Sequence, residues 1–376
     1  MNNYENINNN KCFNIMILHA LGDTIGFKNG IWEFNYFVKD NSAAYVEFID
    51  EFIYEFISLG GVNGIDLKDW KISDDTILHI AVGKSLLKYN GDISDKLLSV
   101  FKKNISNACI SMYNDKDKNI NRYVGKTVLN SVSKFTSKHD ARFDNYNEVG
   151  GGNGSAMRSL IIGYCFSGKQ NRDTLIDLSI ITSRLTHNNA IGYLGGFNAA
   201  LFTALAIEKV PIDKWGYILL DYLKTDKLKS YLSLENIEQV YDHNQYIKHW
   251  QRYIDTKFDN NKKHIESKSN RNPMNRFNYY WNNFHINTIE EQIGGSAFLC
   301  MIMAYDALLD CDGKWEKLIV YSMLHSGDSD TIGAVAGGLY GAVYGMGDVP
   351  LHMLKHIEMK DEIIKLSHKL NKKFIN

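Results

Sequence analysis

Two short acidic stretches of the sequence carry residue types that could do chemistry. In the first, the adjacent carboxylates of Asp74 and Asp75 stand between two hydroxyl residues. In the second, Asp328 and Asp330 lie two residues apart beside a threonine. Oxygen ligands of this kind suit Mg²⁺, Mn²⁺ or Ca²⁺, whereas Zn²⁺ prefers histidine and cysteine. If the two stretches meet in the fold, the sequence predicts a site for hard divalent cations.

Each acidic stretch also has a simpler interpretation as the start of a helix. Ser, Asp and Thr are favoured N-cap residues, and carboxylates in the first turn interact favourably with the helix dipole. One Asp is enough to cap a helix, so two stretches with surplus carboxylates favour a further role. Four converging carboxylates would repel one another and raise one another's pKa unless cations neutralised them. Convergence in space therefore separates the two interpretations.

A glycine-rich stretch is a second candidate for ligand contact. Residues 150–154 read GGGNG, and glycine lets the backbone adopt positive φ or approach a ligand closely. The N–H groups of such a loop can hold a diphosphate, although a flexible turn would have the same composition. His187 has no partner motif in the residues themselves and could equally be a structural histidine. We predict that Arg158 and Asp23 are structural, either paired or capping in the interior.

The elements that must position these residues are predicted to be helices. Apolar residues recur at helical spacing, as at Leu201 and Leu205, alternating runs are scarce, and the chain has only 3 prolines. The predicted fold class is therefore all-α. A ladder of glycines four residues apart would leave one face of a C-terminal helix bare, so that another helix could approach closely. It consists of Gly333, Gly337, Gly341 and Gly345.

Composition argues against several classes of protein. The 376 residues include 42 Lys and Arg against 43 Asp and Glu, for a formal net charge of -1, which disfavours a charge-driven grip on nucleic acid or an anionic membrane. Two apolar stretches, 188–207 and 331–347, are predicted to be buried core helices. The 5 cysteines contain no C-x-x-C pair, and the first residues lack a secretory pattern. We therefore expect a cytoplasmic protein. We also expect a monomer, because no feature of the sequence requires more than one copy.

We predict a single domain over residues 1–376, with a polar surface excursion at about 255–275. The excursion is rich in Lys, Asn, Asp and Arg, which is typical of a solvated segment. The aromatic run that follows it, FNYYW at 277–281, could stack a base or could simply pack. The residues alone leave these two roles open.

Six stretches of the sequence together resemble one known family. They read GDTIGF at 22–27, NGIWEF at 29–34, SDDT at 73–76, GNGSAMR at 152–158, TH at 186–187 and HSGDSDT at 325–331. They occur in family order and span nearly the whole chain. The sequence resembles the ADP-ribosylglycohydrolases, whose members remove ADP-ribose from modified proteins. NGIWEF and the serine of SDDT are most similar to the arginine-directed branch.

The resemblance implies an all-helical domain with a centre of two Mg²⁺ ions, for which Mn²⁺ could substitute. The implied metal ligands are Ser73, Asp74, Asp75, Asp328, Asp330 and Thr331. The implied substrate-binding residues are Glu33, Gly152, Asn153, Gly154, Ser155, Met157, His187, Gly295 and Ser296. Asp74 or Asp75 would be the catalytic residue, relaying a proton as water attacks the C1″ glycosidic bond through an oxocarbenium-like transition state.

The expected function is Mg²⁺-dependent removal of mono-ADP-ribose from protein side chains, with arginine the favoured acceptor. The expected partners are an ADP-ribosylated protein and ADP-ribose, without nucleic acid or membrane. Two alternatives stay open: an inactive module of the same fold that binds ADP-ribose or a protein, and a metal-dependent hydrolase of another ADP-ribose derivative or a phosphoester.

Two positions depart from the family pattern. Ala190 stands where arginine-directed relatives usually have proline, a change that we expect to be tolerated. The familiar Gly294, Gly295 and Ser296 are followed by apolar residues in place of a more polar continuation. This second departure replaces polar residues in the stretch where the resemblance implies contacts with adenosine.

Overall fold

The computed structural model describes residues 10–34, 42–115, 121–135, 145–233, 235–259, 272–284 and 293–375. Regular structure over these residues is helical, and no β-strand occurs among them beyond isolated bridges such as that between Gly152 and Ser296. The prediction of an all-α fold is therefore confirmed. The single domain over 1–376 stays a prediction.

The helices divide along the chain into three sets. The N-terminal set is α1 (Lys11–Phe27), α2 (Ser42–Ser58), α3 (Gly61–Gly64), α4 (Asp74–Leu86), α5 (Asp95–Tyr113) and α6 (Lys126–Phe135). The central set is α7 (Ala156–Cys165), α8 (Arg172–Arg184), α9 (Ala190–Ile207), α10 (Trp215–Leu223), α11 (Asp226–Lys229) and α12 (Ile237–Lys257). The C-terminal set is α13 (Pro273–Phe284), α14 (Ala297–Asp310), α15 (Trp315–Ser322), α16 (Ser329–Tyr344) and α17 (Lys360–Phe374). The two acidic stretches lie at the starts of α4 and α16.

The centre of the fold contains α1, α9 and α16. Every residue of α1 from Cys12 to Phe27 is buried, because a largely apolar helix must be surrounded by other elements. α9 is long and apolar enough to cross a membrane, and 94% of it is buried inside the protein. The apolar stretch at 188–207 thus supplies a buried helix, α9, as predicted, whereas the stretch at 331–347 is buried in α16 only as far as Ala342, and Tyr344 is exposed.

Glycines bring α1 and α16 into backbone contact. A Cβ on Gly337 would lie 2.2 Å from the carbonyl oxygen of Leu18, and a Cβ on Gly22 would lie 2.0 Å from that of Gly333. These distances leave no room for a side chain, so the close approach of the helices depends on glycine at these positions. Glycine inside a helix costs up to about 1 kcal/mol relative to alanine, and this packing is the compensating gain.

The fourth member of the predicted glycine ladder lies outside the helix. α16 ends at Tyr344, and Gly345 follows it with φ at 66°, a value that glycine adopts without steric cost. The ladder is therefore confirmed for its first three glycines and wrong for Gly345, which terminates the helix.

Part of the predicted polar excursion is buried. α12 continues to Lys257, and both Lys257 and Phe258 are buried. The prediction of a solvated surface over about 255–275 is wrong at these two positions, and residues 260–271 lie outside the described part of the chain. In the aromatic run after the excursion, Phe277 and Tyr280 are buried, which favours packing over base stacking.

Lys257 belongs to a group of buried charges between α12, α13 and α14, here called the ion cluster (Lys257, Arg276, Asp306 and Asp310). Lys257 Nζ lies 2.6 Å from Asp306 Oδ1 and 2.8 Å from Asp310 Oδ2. Arg276 forms ion pairs with both carboxylates. Each carboxylate is thus paired with two cations, and this compensation permits the burial of a lysine at the end of α12.

Candidate metal centre

The first acidic stretch starts α4 with a double cap. Ser73 is the N-cap residue, and its Oγ accepts a hydrogen bond from the Asp75 backbone N–H at 3.2 Å. Asp23 reaches across from α1 and accepts from the N–H groups of Ser73, at 2.9 Å, and Thr76, at 3.1 Å. The Thr76 hydroxyl also donates to Asp23, at 2.6 Å. Capping thus accounts for Ser73 and Asp23, and leaves the carboxylates of α4 itself for another role.

The second acidic stretch starts α16 and contacts the glycine-rich loop. Asp328 Oδ2 accepts a hydrogen bond from Asn153 Nδ2 at 2.8 Å. Asp330 Oδ1 accepts from the Thr331 backbone N–H at 2.8 Å. The Asp328 carboxylate therefore connects the start of α16 to the glycine-rich loop, which is far away in sequence. A residue that only capped α16 would not need this contact.

The two acidic stretches converge. One carboxylate oxygen each from Asp23, Asp75 and Asp330 lie within 4.8 Å of one another, and all three residues are buried. The Thr331 hydroxyl donates to Asp75 Oδ1 at 3.3 Å and so links α16 directly to α4. The predicted meeting of the two stretches is confirmed. We call the resulting group the acidic centre; it comprises Asp23, Asp74, Asp75, Asp328 and Asp330.

Like charges raise the proton affinity of the acidic centre. Burial, followed by repulsion from neighbouring carboxylates, raises the pKa of Asp74, Asp75 and Asp330 well above the ordinary aspartate value. Burial also raises the pKa of Asp328, and that of Asp23 to about 6, against the opposing effect of the hydrogen bonds that each accepts. No lysine or arginine in the described residues forms an ion pair with these five carboxylates.

The donor set fits a hard divalent cation. Asp75 Oδ2 and Glu33 Oε2 are buried without a hydrogen-bond partner among the described residues, although buried polar atoms are nearly always satisfied. Every candidate ligand is an oxygen, the type that Mg²⁺, Mn²⁺ and Ca²⁺ prefer. A cation placed among Asp23, Asp75 and Asp330 would compensate their like charges, and the Asp75 carboxylate has an unpartnered oxygen to offer as a ligand.

Glu33 lies beside the acidic centre on the segment after α1. The next residue, Phe34, donates its backbone N–H to the carbonyl oxygen of Gly327 at 3.1 Å, which docks the segment just before α16. Glu33 is buried. Its pKa is raised by burial first and then by the carboxylates of Asp328 and Asp74. The position of Glu33 therefore agrees with the segment over the metals that the resemblance implies.

The glycine-rich loop is fixed against the segment before α14. Gly152 forms an antiparallel bridge with Ser296. The Asn153 backbone N–H donates to Gly295 O at 3.0 Å, and its side chain donates to Gly294 O at 3.0 Å as well as to Asp328. The predicted substrate-binding residues on both segments therefore lie together beside the acidic centre.

The second half of the loop packs on His187 and α9. A Cβ on Gly154 would lie 2.7 Å from His187 Cε1, so only glycine fits there. The Ser155 hydroxyl donates to the carbonyl oxygen of Gly192. Burial, with a smaller effect of Arg158, lowers the pKa of His187 to about 3, so this imidazole is neutral at physiological pH.

Arg158 and Met157 hold the loop from behind. Arg158 is buried and donates to the Gly154 carbonyl oxygen at 2.5 Å and to Thr186 Oγ1 at 2.8 Å. Its predicted structural role is thereby confirmed. The backbone oxygen of Met157 lies 2.7 Å from His19 Nε2, and its side chain is in a small apolar cluster with residues of α4, α5 and α6. These contacts fix where α7 begins.

Asp23 is the site residue that the sequence interpretation placed outside the metal set. It was predicted to be structural, and it does cap α4, yet its carboxylate also forms the acidic centre with Asp75 and Asp330. The available signal was its lone acidic position in an otherwise apolar stretch, LGDTIG at 21–26, on a helix predicted to be buried. A buried carboxylate without a basic neighbour in sequence calls for a partner elsewhere.

Comparison with known proteins places the chain in a family. The family model for ADP-ribosylglycohydrolase matches residues 6–376. ADP-ribosylhydrolase ARH1 of Dictyostelium discoideum is 32% identical over 381 residues, covering 95% of this chain and 92% of that protein. The chain belongs to the ADP-ribosylglycohydrolase family.

Further relatives differ in length or sequence. A protein of Acanthamoeba polyphaga mimivirus that carries the name ADP-ribosyl glycohydrolase L444 is 36% identical over 338 residues, covering 89% of this chain, and the chain spans 64% of its length. ADP-ribosylhydrolase ARH3 of Danio rerio is 24% identical, with 66% of each chain covered. A solved ADP-ribosylglycohydrolase-related protein complex has the same fold, with a TM-score of 0.61 at 17% identity over 98% of this chain and 100% of that chain.

Proposed function

We propose that this protein is a Mg²⁺-dependent hydrolase that removes mono-ADP-ribose from protein side chains, with arginine the favoured linkage. The convergence of the buried Asp23, Asp75 and Asp330 carboxylates, with one Asp75 oxygen left unpartnered, is the observation that carries the proposal. Family membership supports the ADP-ribose linkage as the reacting bond, and the extensive match to ARH1 supports arginine. We further propose that it acts as a cytoplasmic monomer.

The acidic centre offers ligands for two ions. Asp23, Asp75 and Asp330 would hold one, and Asp74 and Asp328 would contribute to the second, with Mn²⁺ as the nearest substitute for Mg²⁺. When bound, a divalent cation of this kind supplies a Lewis acid that orients hydroxyl groups and lowers the pKa of water. The proposal rests on the carboxylates themselves, because they are buried, converge and lack protein cations.

Asp74 or Asp75 would move the proton. In the proposed reaction, water adds to C1″ of the ribose, the bond from C1″ to the acceptor nitrogen breaks, and the electron pair of that bond goes to the nitrogen. One aspartate takes a proton from the attacking water and the leaving nitrogen receives one, so that charge and atoms balance. Bound cations would offset the rise in pKa that burial and neighbouring carboxylates cause, so either aspartate would be ionised and able to accept the proton.

The glycine-rich loop would bind the ADP-ribose. Gly152, Gly154 and Ser155 present a backbone without bulky side chains beside the acidic centre, where a diphosphate could approach closely. The neutral His187 imidazole on the other side of Gly154 can donate or accept a hydrogen bond without adding charge. Asn153 connects this loop to Asp328, so ligand binding and the cation site share one residue.

The test is release of free ADP-ribose from an arginine-ADP-ribosylated protein, with Mg²⁺ and with EDTA, and with serine-linked substrate in parallel. Mg²⁺-dependent release from the arginine linkage is expected. The variant Asp328→Asn should lose this activity, whereas the matched variant Asp92→Asn, at an exposed position, should keep it. Circular dichroism checks that both variants are folded.

Other outcomes would replace the proposal with a defined alternative. Release from serine alone would correct the linkage. Stoichiometric ADP-ribose binding without release, by folded and metal-loaded protein, would identify a binding module. Release of phosphate or AMP in place of ADP-ribose would identify a hydrolase of a different bond.

A further inference from the structure

The glycine-rich loop is also held from a side that does not contact the acidic centre. The Tyr146 hydroxyl, just before the loop, donates to Asp242 Oδ2 on α12. Asn189 Nδ2 donates to the same oxygen at 2.9 Å. The same carboxylate oxygen on α12 therefore accepts hydrogen bonds from Tyr146, which precedes the loop, and from Asn189, which caps α9.

Asn189 fixes the loop and α9 to each other. Its Oδ1 accepts from the backbone N–H of Ile191 at 2.8 Å, as the N-cap of α9, while its Nδ2 also donates to Asn147 O at 3.0 Å. The first turn of α9 packs directly on the loop, because a Cβ on Gly192 would lie 2.3 Å from the carbonyl oxygen of Gly150. Movement of the α9 start would therefore move the loop.

The Tyr146 hydroxyl has a second contact that depends on Ala190. The Ala190 backbone N–H donates to this hydroxyl at 3.3 Å, and proline, which arginine-directed relatives usually carry here, has no N–H to donate. Ala190 is the first residue of α9, a position where proline would fix φ for the helix. In this chain the hydrogen bond from the Ala190 N–H to the Tyr146 hydroxyl restrains the start of α9 instead.

We propose that Tyr146, Asp242 and Asn189 form a clamp that positions the glycine-rich loop for ligand binding. They are positioning residues, since none of their hydrogen bonds in the described chain reaches the acidic centre. The clamp acts on the first half of the loop, whereas Asn153 is held separately by Gly295. Loss of the clamp should therefore affect ligand affinity more than turnover. The ligand, ADP-ribose, rests on the proposed function.

The first experiment separates affinity from turnover. In Tyr146→Phe, the Kd for ADP-ribose by calorimetry and the KM for arginine-ADP-ribosylated protein should each rise about tenfold, the effect of losing a hydrogen bond to a charged group. The kcat should stay within about twofold of wild type. The matched variant Tyr241→Phe, whose exposed ring lies beside Asp242 on α12, should leave all three constants unchanged.

A rescue variant separates positioning from general stability. Asn189 has φ at -137° and ψ at 142°, values that suit a residue before proline, so Ala190→Pro should be accepted. Added to Tyr146→Phe, it should restore part of the lost affinity, because proline restrains the α9 start without the tyrosine. A lower Tm in Tyr146→Phe with wild-type Kd and KM would overturn the clamp and leave only a structural role.

Hydrogen exchange distinguishes failure of the clamp from failure of the proposed function. Amide exchange over residues 147–153 should be faster in Tyr146→Phe than in wild type and in Tyr241→Phe, whatever ligand the loop binds. A wild-type protein that neither binds nor hydrolyses ADP-ribose would contradict the proposed function, and faster exchange would still support the clamp. Unchanged exchange over these residues would overturn it.

Discussion

The protein buries two groups of carboxylates, and they differ in how their charge is compensated. In the ion cluster, Asp306 and Asp310 are each paired with Lys257 and Arg276. In the acidic centre, the carboxylates face one another, and the described residues supply no cation within ion-pair distance. The first group is complete as folded. The second group has no compensating cation among the described residues, and this distinguishes a candidate functional site from a structural one.

The pKa directions express the same difference. Asp306 is as buried as any residue of the acidic centre, yet the cations of Lys257 and Arg276 outweigh the effect of burial and lower its pKa. Asp75, with carboxylates as neighbours, has its pKa raised by burial and by those charges. Burial alone therefore does not reveal which buried aspartate has a function; the sign of the neighbouring charge does.

Removing one charge from the acidic centre should have the largest effect on activity. Asp75→Asn should lower ADP-ribose release by roughly 10³-fold or more, because it removes a ligand oxygen and a proton acceptor. In EDTA the free energy of unfolding should not decrease, because repulsion among buried carboxylates is relieved. Release assays and chemical denaturation measure the two quantities. Near-normal release by Asp75→Asn would contradict the site.

An Asp→Asn substitution in the ion cluster should lower stability and leave activity nearly unchanged, which is the opposite of the result expected for Asp75→Asn. Asp306→Asn should lower the free energy of unfolding by about 3 kcal/mol, because it leaves Lys257 and Arg276 buried with only one carboxylate. Activity per folded molecule should change little, since the cluster lies between α12, α13 and α14. Denaturation with urea, compared with release by the folded fraction, would show this. Unchanged stability would mean that the cluster is not structural.

The pH dependence of ion binding should reflect the raised pKa values. Burial raises the pKa of Asp23 to about 6, and burial with neighbouring carboxylates raises the pKa of Asp75 and Asp330 well above the ordinary aspartate value. These groups hold protons at low pH that a cation must displace, so the rise in Tm on adding Mg²⁺ should grow between pH 5 and pH 8. Each displaced proton contributes about 1.4 kcal/mol per pH unit.

Thermal unfolding with and without Mg²⁺ across this pH range tests the dependence. Asp306 has a lowered pKa and stays ionised throughout, so the ion cluster should contribute nothing to it. Asp306→Asn is therefore the matched control, with the wild-type slope. A Tm gain that is independent of pH would contradict protonation of the acidic centre.

The smallest effect is expected from loss of the Tyr280 hydroxyl, which accepts a hydrogen bond from Arg276 Nη1 at 2.9 Å as well as donating one to Asp306. The Tyr280 hydroxyl donates to Asp306 Oδ2 at 2.6 Å. Tyr280→Phe should lower the free energy of unfolding by about 1.5 kcal/mol, the usual contribution of a bond to a charged group. Tyr279→Phe is the control, because its hydroxyl contacts only the exposed Thr256 in the described hydrogen bonds, and it should stay within about 0.5 kcal/mol of wild type.

The fold class and the outline of the acidic centre could be predicted from the sequence. Helical spacing of apolar residues is a local property, so all-α structure followed from it directly. The surplus carboxylates at Asp75 and Asp330 exceeded what helix capping needs, which left their convergence as a test, and the family resemblance implied that they converge. The capping role of Asp23 hid its place in the acidic centre, since one carboxylate caps α4 and also lies beside those of Asp75 and Asp330.

The ion cluster could not be predicted from local sequence. Lys257 lies at the edge of a polar stretch whose composition is typical of a solvated surface. Its burial depends on Asp306 and Asp310, about fifty residues further along the chain, and a sequence pattern does not report which distant charges meet. The end of α16 before Gly345 was missed for a related reason, because a four-residue period continues through a helix terminus without marking it.

The contact between α1 and α16 also limits how closely the backbone can bring two aspartates of the acidic centre together. Asp23 follows Gly22 on α1, Asp330 lies in the first turn of α16, and the backbones already touch at Gly22 and Gly333. The two helix backbones cannot come closer there, so these aspartates can approach each other only by rotation of their side chains. A methyl group at Gly22 would spread the helices and widen the space between these aspartates. A residue with no side chain thereby sets the backbone separation from which two carboxylates of the acidic centre face each other.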